Sequence, residues 1–322
     1  MGRIRRHLNI LAAIGLISLT GWFRTAAASW PRETTPQEPS RREFVDSAFA
    51  VQITSDLPYG ASIGGAPNSF LLDVYEPVGA AAPAVRPAFL AIHGGGFTGG
   101  DKAQGNISEL CRELASRGYV CTSINYRLTT LGPDGSLLPN PSQAVNDAVA
   151  DAARALEWLV GQASRWRIDP RRLAIGGSSA GATIALRLGY DPQFPRPPVG
   201  AVLGWSGALY APMERVSLGE PALFVIHGTA DNLVPVRAGL TLAARAKAIA
   251  LPHAVLICKG LGHVVPLDRR PFGKPIYAHV ASFLAWSLDL AHLGQTALPV
   301  PQADRGVGLT MPVDTLAVDC PR

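Results

Sequence analysis

The sequence predicts an α/β fold, with a mostly parallel central sheet of about eight strands and helices on both faces. Two observations carry this prediction. The later apolar runs of the chain (AFLAI, LAIGG, ALFVI and AVLIC) do not alternate polar with apolar residues, which is typical of strands covered on both sides. Helix-length segments lie between the runs, and alternation of strands with helices favours a parallel sheet.

The predicted strands follow one another from residue 49 to residue 258. They are Phe49 to Ile53, Phe70 to Tyr75, Ala88 to Ile92, Tyr119 to Tyr126, Arg172 to Ile175, Ala201 to Trp205, Ala222 to Ile226 and His253 to Cys258. The clearest helix is predicted over Ser142 to Trp166, where apolar residues recur at three- and four-residue steps and form one stripe. Further helices are predicted over Glu109 to Arg117, Ala180 to Leu188, Val236 to Ile249 and Ile276 to Leu293.

Composition excludes several classes of protein. Hydrophobic residues make up 48% of the 322 residues and charged residues 16%, which excludes a disordered chain, a coiled coil and a highly charged nucleic-acid-binding arm. The formal net charge of +5 is concentrated at the amino terminus, because residues 1–28 contain four arginines and no acidic residue. Without that segment the net charge is close to zero, so we expect no nucleic-acid partner.

Residues 1–28 are predicted to be a cleaved signal peptide. An arginine-rich start precedes an apolar run from Leu8 to about Phe23, and Ala26–Ala28 offers an A-x-A cleavage site. The apolar run is short for a membrane-spanning helix, which needs roughly 20 residues, although an uncleaved anchor remains the alternative. We therefore expect a secreted or periplasmic protein with no membrane span after cleavage, exported by either the general or the twin-arginine route.

The rest of the chain divides into three predicted parts: a flexible, Pro-rich lead-in (29–44), one folded catalytic domain (45–293) and an extended tail (294–322). Export would place all four cysteines in an oxidising compartment, where disulfides persist. Three pairings are possible, and proximity along the chain favours Cys111 with Cys121 and Cys258 with Cys320. No Cys or His cluster has metal-site spacing, so we expect no metal.

The pentapeptide Gly177-Ser178-Ser179-Ala180-Gly181 lies between a predicted strand and a predicted helix. A G-x-S-x-G sequence in this context places a serine on a sharp turn, with its hydroxyl exposed at the top of the sheet. Ser179 is therefore the candidate nucleophile. Ser178 is the rival, but it lacks glycines at the correct offsets. A Gly/Ser-rich turn that only caps the helix is the structural alternative.

The tetrapeptide His93-Gly94-Gly95-Gly96 follows the predicted strand AFLAI directly. Three glycines let a loop turn its N–H groups inward without Cβ atoms in the way. These amides and the N–H of Ala180 therefore predict an oxyanion hole, with the last two glycines as the favoured donors. A phosphate-binding turn is the alternative, but no Lys-Ser/Thr pair follows. Asp101 and Lys102 are predicted to anchor the loop.

Two further residues are candidates for activating the serine. Asp231 follows the predicted strand ALFVI, within His227-Gly228-Thr229-Ala230-Asp231, and His263 follows the predicted strand AVLIC. Both lie at the carboxyl ends of predicted strands, where open α/β sheets place their sites. Taken alone, each is more often an ordinary loop residue. Together they predict a triad in the chain order Ser179, Asp231, His263.

With these motifs the sequence resembles the α/β-hydrolase esterases that carry an HGGG oxyanion motif, close to the hormone-sensitive-lipase-like and bacterial carboxylesterase branches. The resemblance covers about residues 45 to 290. Its matching stretches are His93 to Phe97, Asn125 to Leu128, Gly177 to Gly181, His227 to Asp231 and Gly262-His263. It implies a carboxylic-ester hydrolase without a cofactor, in which Tyr126 and Arg127 are scaffold residues and Asp151 pairs with Arg127.

Little of the chain is left for a cap domain, because only about Ser206 to Pro221 is free between the strands that follow Ser179. We therefore expect an open site for short-acyl, aryl or polymer-borne esters, shaped by Thr129 to Pro141 and Tyr210 to Met213. A serine peptidase or amidase with the same triad order is one alternative. A secreted binding protein on a hydrolase scaffold is the other, since a fold alone does not fix function.

Overall fold

The computed structural model describes residues 44–61, 70–292 and 317–322. The predicted signal peptide (1–28), nearly all of the predicted lead-in (29–44) and most of the predicted tail (294–322) lie outside the described residues. Those three assignments therefore stay predictions.

An eight-stranded sheet forms the centre of the described chain, in the order β1-β2-β4-β3-β5-β6-β7-β8. Its strands are β1 (Ala50–Pro58), β2 (Leu71–Val78), β3 (Arg86–Ile92), β4 (Val120–Ile124), β5 (Ile168–Ser178), β6 (Ala201–Trp205), β7 (Ala222–Gly228) and β8 (His253–Cys258). Strands β3 to β8 are parallel to one another, whereas β1 and β2 pair antiparallel at one edge. The predicted mostly parallel sheet of about eight strands is confirmed.

Burial of the strands follows their place in the sheet. Every residue of β3, β4, β6 and β7 is buried, which explains the apolar runs within β3, β6 and β7. Strand β4 is buried as well, although it contains Thr122 and Ser123. The edge strand β1 contains no buried residue. The central strand β5 is longer at both ends than the predicted Arg172 to Ile175, because its pairing with β3 and β6 runs from Ile168 to Ser178 and includes charged and glycine residues that interrupt an apolar run.

Six α-helices cover the two faces of the sheet in the described chain. They are α1 (Gly105–Ala115), α2 (Pro141–Gly161), α3 (Ala163–Trp166), α4 (Ala180–Tyr190), α5 (Arg237–Ala248) and α6 (Ile276–Ser287). Helices α2, α4 and α5 contribute to one hydrophobic core, and α1 and α6 contribute to a second core on the opposite face. The predicted helices on both faces are therefore confirmed.

Helix α1 starts four residues before the predicted Glu109, and α4 and α5 differ from the prediction by one or two residues. Two larger differences concern the ends of the predicted helices. The predicted helix from Ser142 to Trp166 is two helices, because α2 ends at Gly161 and its capping residue Gln162 leaves helical geometry at φ −98° and ψ 11°. The predicted helix from Ile276 to Leu293 ends at Ser287 and is followed by a short 3₁₀ turn, Leu290–His292. At the start of α2, the side chain of Asn140 accepts the N–H of Gln143 at 2.8 Å, and this cap fixes the first turn.

Both disulfides favoured by proximity along the chain are present in the structure. Cys111–Cys121 joins α1 to β4, and Cys258–Cys320 joins β8 to the last described segment, residues 317–322. Val318 extends the sheet beyond β8, because its N–H donates to Ile257 O at 2.8 Å and its carbonyl accepts the N–H of Lys259 at 2.9 Å.

The connection between β6 and β7 contains a single 3₁₀ turn, Met213–Arg215, and no cap domain covers the sheet within the described ranges. None of the described helices has the length and apolar character needed to cross a bilayer. Across the same residues, no three His, Cys, Asp or Glu side chains cluster in a way that would hold a metal ion.

Candidate active site

Ser179 lies at the turn between β5 and α4, in the middle of the sheet. Its backbone has φ 57° and ψ −119°, a strained conformation that directs the side chain away from both elements. Its N–H donates to Trp205 O of β6 at 2.9 Å. The sharp turn expected of a G-x-S-x-G sequence is therefore present, and the Ser179 side chain is only half-buried.

The two flanking glycines are required by close backbone contacts. A Cβ on Gly177 would collide with the backbone of Gly181 and with Ile92 O of β3, and a Cβ on Gly181 would collide with the carbonyls of Ile92 and His93. Because backbone atoms cannot move aside as a flexible side chain can, α4 can start this close to β3 only with glycine at both positions. Steric fit therefore fixes the position of Ser179.

The structure brings Ser179, His263 and Asp231 together. His263 Nε2 lies 2.7 Å from Ser179 Oγ, and His263 Nδ1 lies 2.8 Å from Asp231 Oδ2. A carboxylate can only accept, so the imidazole carries its proton on Nδ1 and offers its Nε2 lone pair to the serine hydroxyl. This arrangement can transfer the hydroxyl proton to the imidazole while the oxygen attacks an electrophile.

Asp231 is the buried end of this chain of hydrogen bonds. Burial alone would raise the pKa of its carboxyl, but hydrogen bonds from His263 and from the N–H groups of Val234 and Leu233 outweigh that effect and lower the pKa. The two backbone donors lie 2.9 Å from Oδ1. The carboxylate therefore stays charged and can stabilise an imidazolium on His263.

The glycine loop lies directly beside Ser179. A Cβ on Gly94 would come within 3.2 Å of the Ser179 Cβ. The carbonyl of Gly94 is turned toward His93 Nδ1 at 2.6 Å, and the carbonyl of Gly95 accepts the N–H groups of Thr98 and Gly99. In a trans peptide the following N–H points the opposite way, so the N–H groups of Gly95 and Gly96 point away from these partners.

Positive φ angles at the last two glycines make this loop conformation possible. Gly95 has φ 116° and Gly96 has φ 61°, which glycine adopts far more readily than other residues. Within the described ranges, no backbone carbonyl accepts the N–H of Gly95, Gly96 or Ala180. Unpaired N–H groups beside a serine hydroxyl can bind an oxyanion.

The far end of the glycine loop is held by a polar cluster. Asn125 Oδ1 accepts the N–H of Lys102 at 2.5 Å, and Asn125 Nδ2 donates to Asp101 Oδ2 at 2.9 Å. Lys102 Nζ forms ion pairs of 2.9 Å with both Asp56 and Asp73. Asp101 and Lys102 therefore anchor the loop to β2 and to the end of β4, as the sequence predicts.

Tyr126 and Arg127 lie beneath the loop. The Tyr126 ring stacks on the His93 ring with centroids 4.4 Å apart, and its hydroxyl donates to His93 O at 3.2 Å. Arg127 forms a two-bond ion pair with Asp151 of α2, at 2.9 Å from Nε and 2.8 Å from Nη2. The predicted Arg127–Asp151 pair is confirmed, and it ties the end of β4 to α2.

Exposed apolar side chains lie on the loops that leave the same edge of the sheet as Ser179. Six of them, which follow β4, β6, β7 and β8, are Leu128, Leu131, Leu138, Tyr210, Leu233 and Val264. We call this set the apolar rim. The loop that follows β4 and carries Leu128 and Leu131 is attached to the glycine loop, because the N–H of Thr129 donates to Phe97 O at 2.8 Å.

Two structural partners of the triad were not predicted from the sequence. The sequence shows His227 only as part of a motif, yet its Nε2 lies 3.0 Å from Asp231 Oδ2. The segment 317–322 belongs to the predicted extended tail (294–322), yet it bonds to Lys259 and Arg270 on either side of His263. The pairing of Cys258 with Cys320 was the one sequence signal for the second contact.

Comparison with known proteins supports the predicted fold and resemblance. Residues 72–194 match BD-FAE, an α/β-hydrolase esterase family. A solved structure, a truncated carbohydrate esterase from gut microbiota, has a TM-score of 0.60 at 18% identity and covers 76% of this chain and 98% of that one. The chain therefore has an α/β-hydrolase fold, as predicted.

Several curated relatives are named as esterases and align with this chain over part of their length. A probable carboxylic ester hydrolase of Mycobacterium tuberculosis, LipM, is 26% identical over 210 residues, covering 52% of this chain and 46% of that protein. The chlorogenic acid esterase of Aspergillus niger is 32% identical over 126 residues, covering 38% of this chain and 23% of that protein. The chain thus spans less than half the length of these two relatives.

Proposed function

We propose that this protein is a carboxylesterase that hydrolyses carboxylic esters through an acyl-enzyme on Ser179. The observation that carries the proposal is the hydrogen-bond chain of 2.7 Å and 2.8 Å from Ser179 through His263 to Asp231. The esterase family and relatives that the chain matches support the same chemistry.

In the first half of the reaction, Ser179 Oγ attacks the ester carbonyl carbon while His263 Nε2 takes the hydroxyl proton. Asp231 holds the Nδ1 proton of His263 and stabilises the imidazolium that forms. The tetrahedral intermediate collapses, the alcohol leaves with the proton from Nε2, and the acyl group stays on the serine. Water then repeats the sequence, which frees the acid and restores Ser179.

The N–H groups of Gly95, Gly96 and Ala180 stabilise the negative charge that develops on the carbonyl oxygen. Gly94 belongs to the same loop. Gly95 and Gly96 are favoured because the carbonyls of Gly94 and Gly95 are bonded on the other side of the loop. Loss of one donor from such a site ordinarily costs about 3 kcal/mol of transition-state stabilisation.

The proposed substrates are short-acyl, aryl or polymer-borne esters. Two features support this range. The connection between β6 and β7 is too short for a cap, which favours access of a large alcohol or polymer to Ser179. The apolar rim supplies contacts for an apolar acyl or aryl group at the entrance.

A p-nitrophenyl ester series from acetate to palmitate tests this proposal, with Ser179→Ala and Ser178→Ala as the matched pair. We expect hydrolysis strongest on the short chains, a loss of more than about a thousandfold in Ser179→Ala and near-normal activity in Ser178→Ala. Equal activity in wild type and Ser179→Ala would reject the serine mechanism. Faster cleavage of the matching p-nitroanilides than of the esters would favour an amidase or peptidase.

We further propose that residues 1–28 are a signal peptide, residues 29–44 a lead-in, residues 45–293 the catalytic domain and residues 294–322 a tail, in a secreted or periplasmic enzyme. The arginine-rich start, apolar run and A-x-A site support export. Expression of the full chain in a Gram-negative host, followed by amino-terminal sequencing of the periplasmic protein, tests this. The expected first residue is Ser29, and a cytoplasmic product that begins at Met1 would contradict it.

A further inference from the structure

We propose that His227 is a positioning residue for the triad: the proton on its Nε2 holds the Asp231 carboxylate in line with His263. This inference rests on the proposed esterase function, and it assigns a role to a residue that does not touch Ser179. It concerns the alignment of the carboxylate, not substrate binding.

The tautomer of His227 is determined by its partners. Nε2 lies 2.8 Å from Val234 O and 3.0 Å from Asp231 Oδ2. Both partners are acceptors, so Nε2 must carry the proton and share it between them. His227 therefore acts as a fixed donor at the end of β7, four residues before the carboxylate that it contacts.

This donor completes the set of hydrogen bonds on Asp231. Oδ1 accepts the N–H groups of Leu233 and Val234, and Oδ2 accepts His263 Nδ1 at 2.8 Å and His227 Nε2 at 3.0 Å. Val234 takes part on both sides, because its N–H donates to Asp231 and its carbonyl accepts from His227. Asp231, Val234 and His227 therefore form a closed ring of hydrogen bonds, which restricts the orientation of the Asp231 carboxylate.

Packing alone does not account for a histidine at this position. The His227 side chain is fully buried, and within the described ranges its Nδ1 has no hydrogen-bond partner. Gly239 of α5 packs against the ring, where an added Cβ would come within 3.0 Å of Nδ1. An apolar side chain would fill this space without an unpaired polar atom. The feature that only the imidazole supplies is the Nε2 proton.

Two substitutions separate the donor from the volume of the side chain. His227→Leu keeps an apolar filling and removes the donor, and His227→Gln restores an N–H group near the position of Nε2. Tyr190→Phe is the matched control, because it removes a different fully buried donor, the hydroxyl that bonds to Pro221 O at 3.0 Å. The three variants and wild type are compared by steady-state kinetics on p-nitrophenyl acetate and by thermal unfolding.

We expect kcat of His227→Leu to fall by about tenfold to a hundredfold with KM within about twofold, since misalignment affects the chemical step. His227→Gln should recover most of the lost kcat, and Tyr190→Phe should lower the unfolding temperature without changing kcat. If His227→Leu keeps wild-type kcat while Ser179→Ala is inactive, the positioning role is overturned and the esterase proposal stands. A higher KM together with a lower kcat in both His227 variants would also overturn it.

A measurement on the wild-type protein needs no substitution. In ¹⁵N-labelled protein at the pH of the kinetic assay, the nitrogen shifts of His227 should report the tautomer that carries its proton on Nε2, as its two acceptors require. A proton on Nδ1 of His227 would overturn the proposal, because Nε2 could not then donate to Asp231.

Discussion

The two halves of the proposed catalytic machinery are held in different ways. Ser179 lies between the central strand β5 and helix α4, where backbone atoms of Ile92, His93 and Gly181 leave no room for a Cβ on the flanking glycines. His263 lies in a loop after β8, the last strand of the described sheet at that edge. The nucleophile is fixed by steric fit, whereas the base is fixed by hydrogen bonds and a disulfide.

The base side depends on residues far away in the chain. The N–H of Lys259 donates to Val318 O at 2.9 Å, and the N–H of Arg270 donates to Pro321 O at 2.8 Å. These bonds lie on either side of His263, and Cys258–Cys320 joins the same segments covalently. The nucleophile side is therefore sensitive to added volume, while the base side is sensitive to loss of a crosslink.

The largest expected effect comes from one added methyl group on the nucleophile side. We expect Gly181→Ala to lower kcat/KM by more than about a hundredfold, because its Cβ meets the carbonyls of Ile92 and His93 and displaces the serine. Gly161→Ala is the matched control, since a Cβ there meets nothing within 4 Å. Ester hydrolysis by both variants checks this, and unimpaired activity in Gly181→Ala would refute the steric account.

The next effect is on the base. We expect kcat/KM to fall by about tenfold for each pH unit on the acid side of the profile, because a protonated imidazole cannot accept the Ser179 proton. Hydrogen bonds outweigh burial and lower the pKa of the Asp231 carboxyl from its ordinary value, so loss of the carboxylate charge does not account for this limb. The acid limb therefore reports the imidazole.

A pH–rate profile with p-nitrophenyl acetate measures this limb. Enzyme held at each acid pH and returned to neutral pH should regain full activity, which separates protonation from unfolding. A rate that stays flat down to about pH 4 would contradict a histidine base, since histidines ordinarily titrate near 6.5.

A smaller effect is expected from the crosslink on the base side. Replacing Cys258 and Cys320 with serine should lower kcat by about threefold to tenfold, because the loop that carries His263 loses one of its restraints. Replacing Cys111 and Cys121 is the matched control, since that disulfide joins α1 to β4 and leaves the His263 loop untouched.

We expect both disulfides to contribute to the free energy of unfolding, although only Cys258–Cys320 is expected to affect kcat. In the loop-entropy model, a crosslink between residues 62 apart in sequence stabilises by about 4 kcal/mol, and one between residues 10 apart by about 3 kcal/mol. Both double variants should therefore unfold at lower denaturant concentration, but only the Cys258/Cys320 variant should have a lower kcat. Equal kcat in the two folded variants would show that the disulfide does not restrain His263.

The smallest expected effect concerns the apolar rim. Tyr210 is 64% exposed at a left-handed backbone position, φ 44°, and Arg187 donates to its carbonyl at 3.2 Å. We expect Tyr210→Ala to raise KM for aryl esters by about threefold and to leave kcat for p-nitrophenyl acetate unchanged, because the ring offers contact area only. An unchanged KM across aryl esters would exclude Tyr210 from the substrate contacts.

Continuous apolar runs predict the buried strands β3, β6 and β7 because burial on both faces requires apolar side chains, and glycine and serine spacing predicts the turn at Ser179. The order of the strands was not predictable, since β4 lies between β2 and β3 through contacts that no local pattern encodes. The proposed role of His227 was not predictable for a related reason. It depends on the contacts of Nε2 with Val234 and Asp231, which only the fold brings together.

The most direct test of the central claim is covalent trapping with diethyl p-nitrophenyl phosphate, read by intact mass and peptide mapping. Only a serine that is both activated by a base and placed beside an oxyanion hole reacts quickly with such a reagent. We expect one diethylphosphoryl group per chain, on Ser179, with p-nitrophenol released in equal amount and labelling abolished in Ser179→Ala. No adduct, or an adduct on Ser178 or another residue, would contradict it.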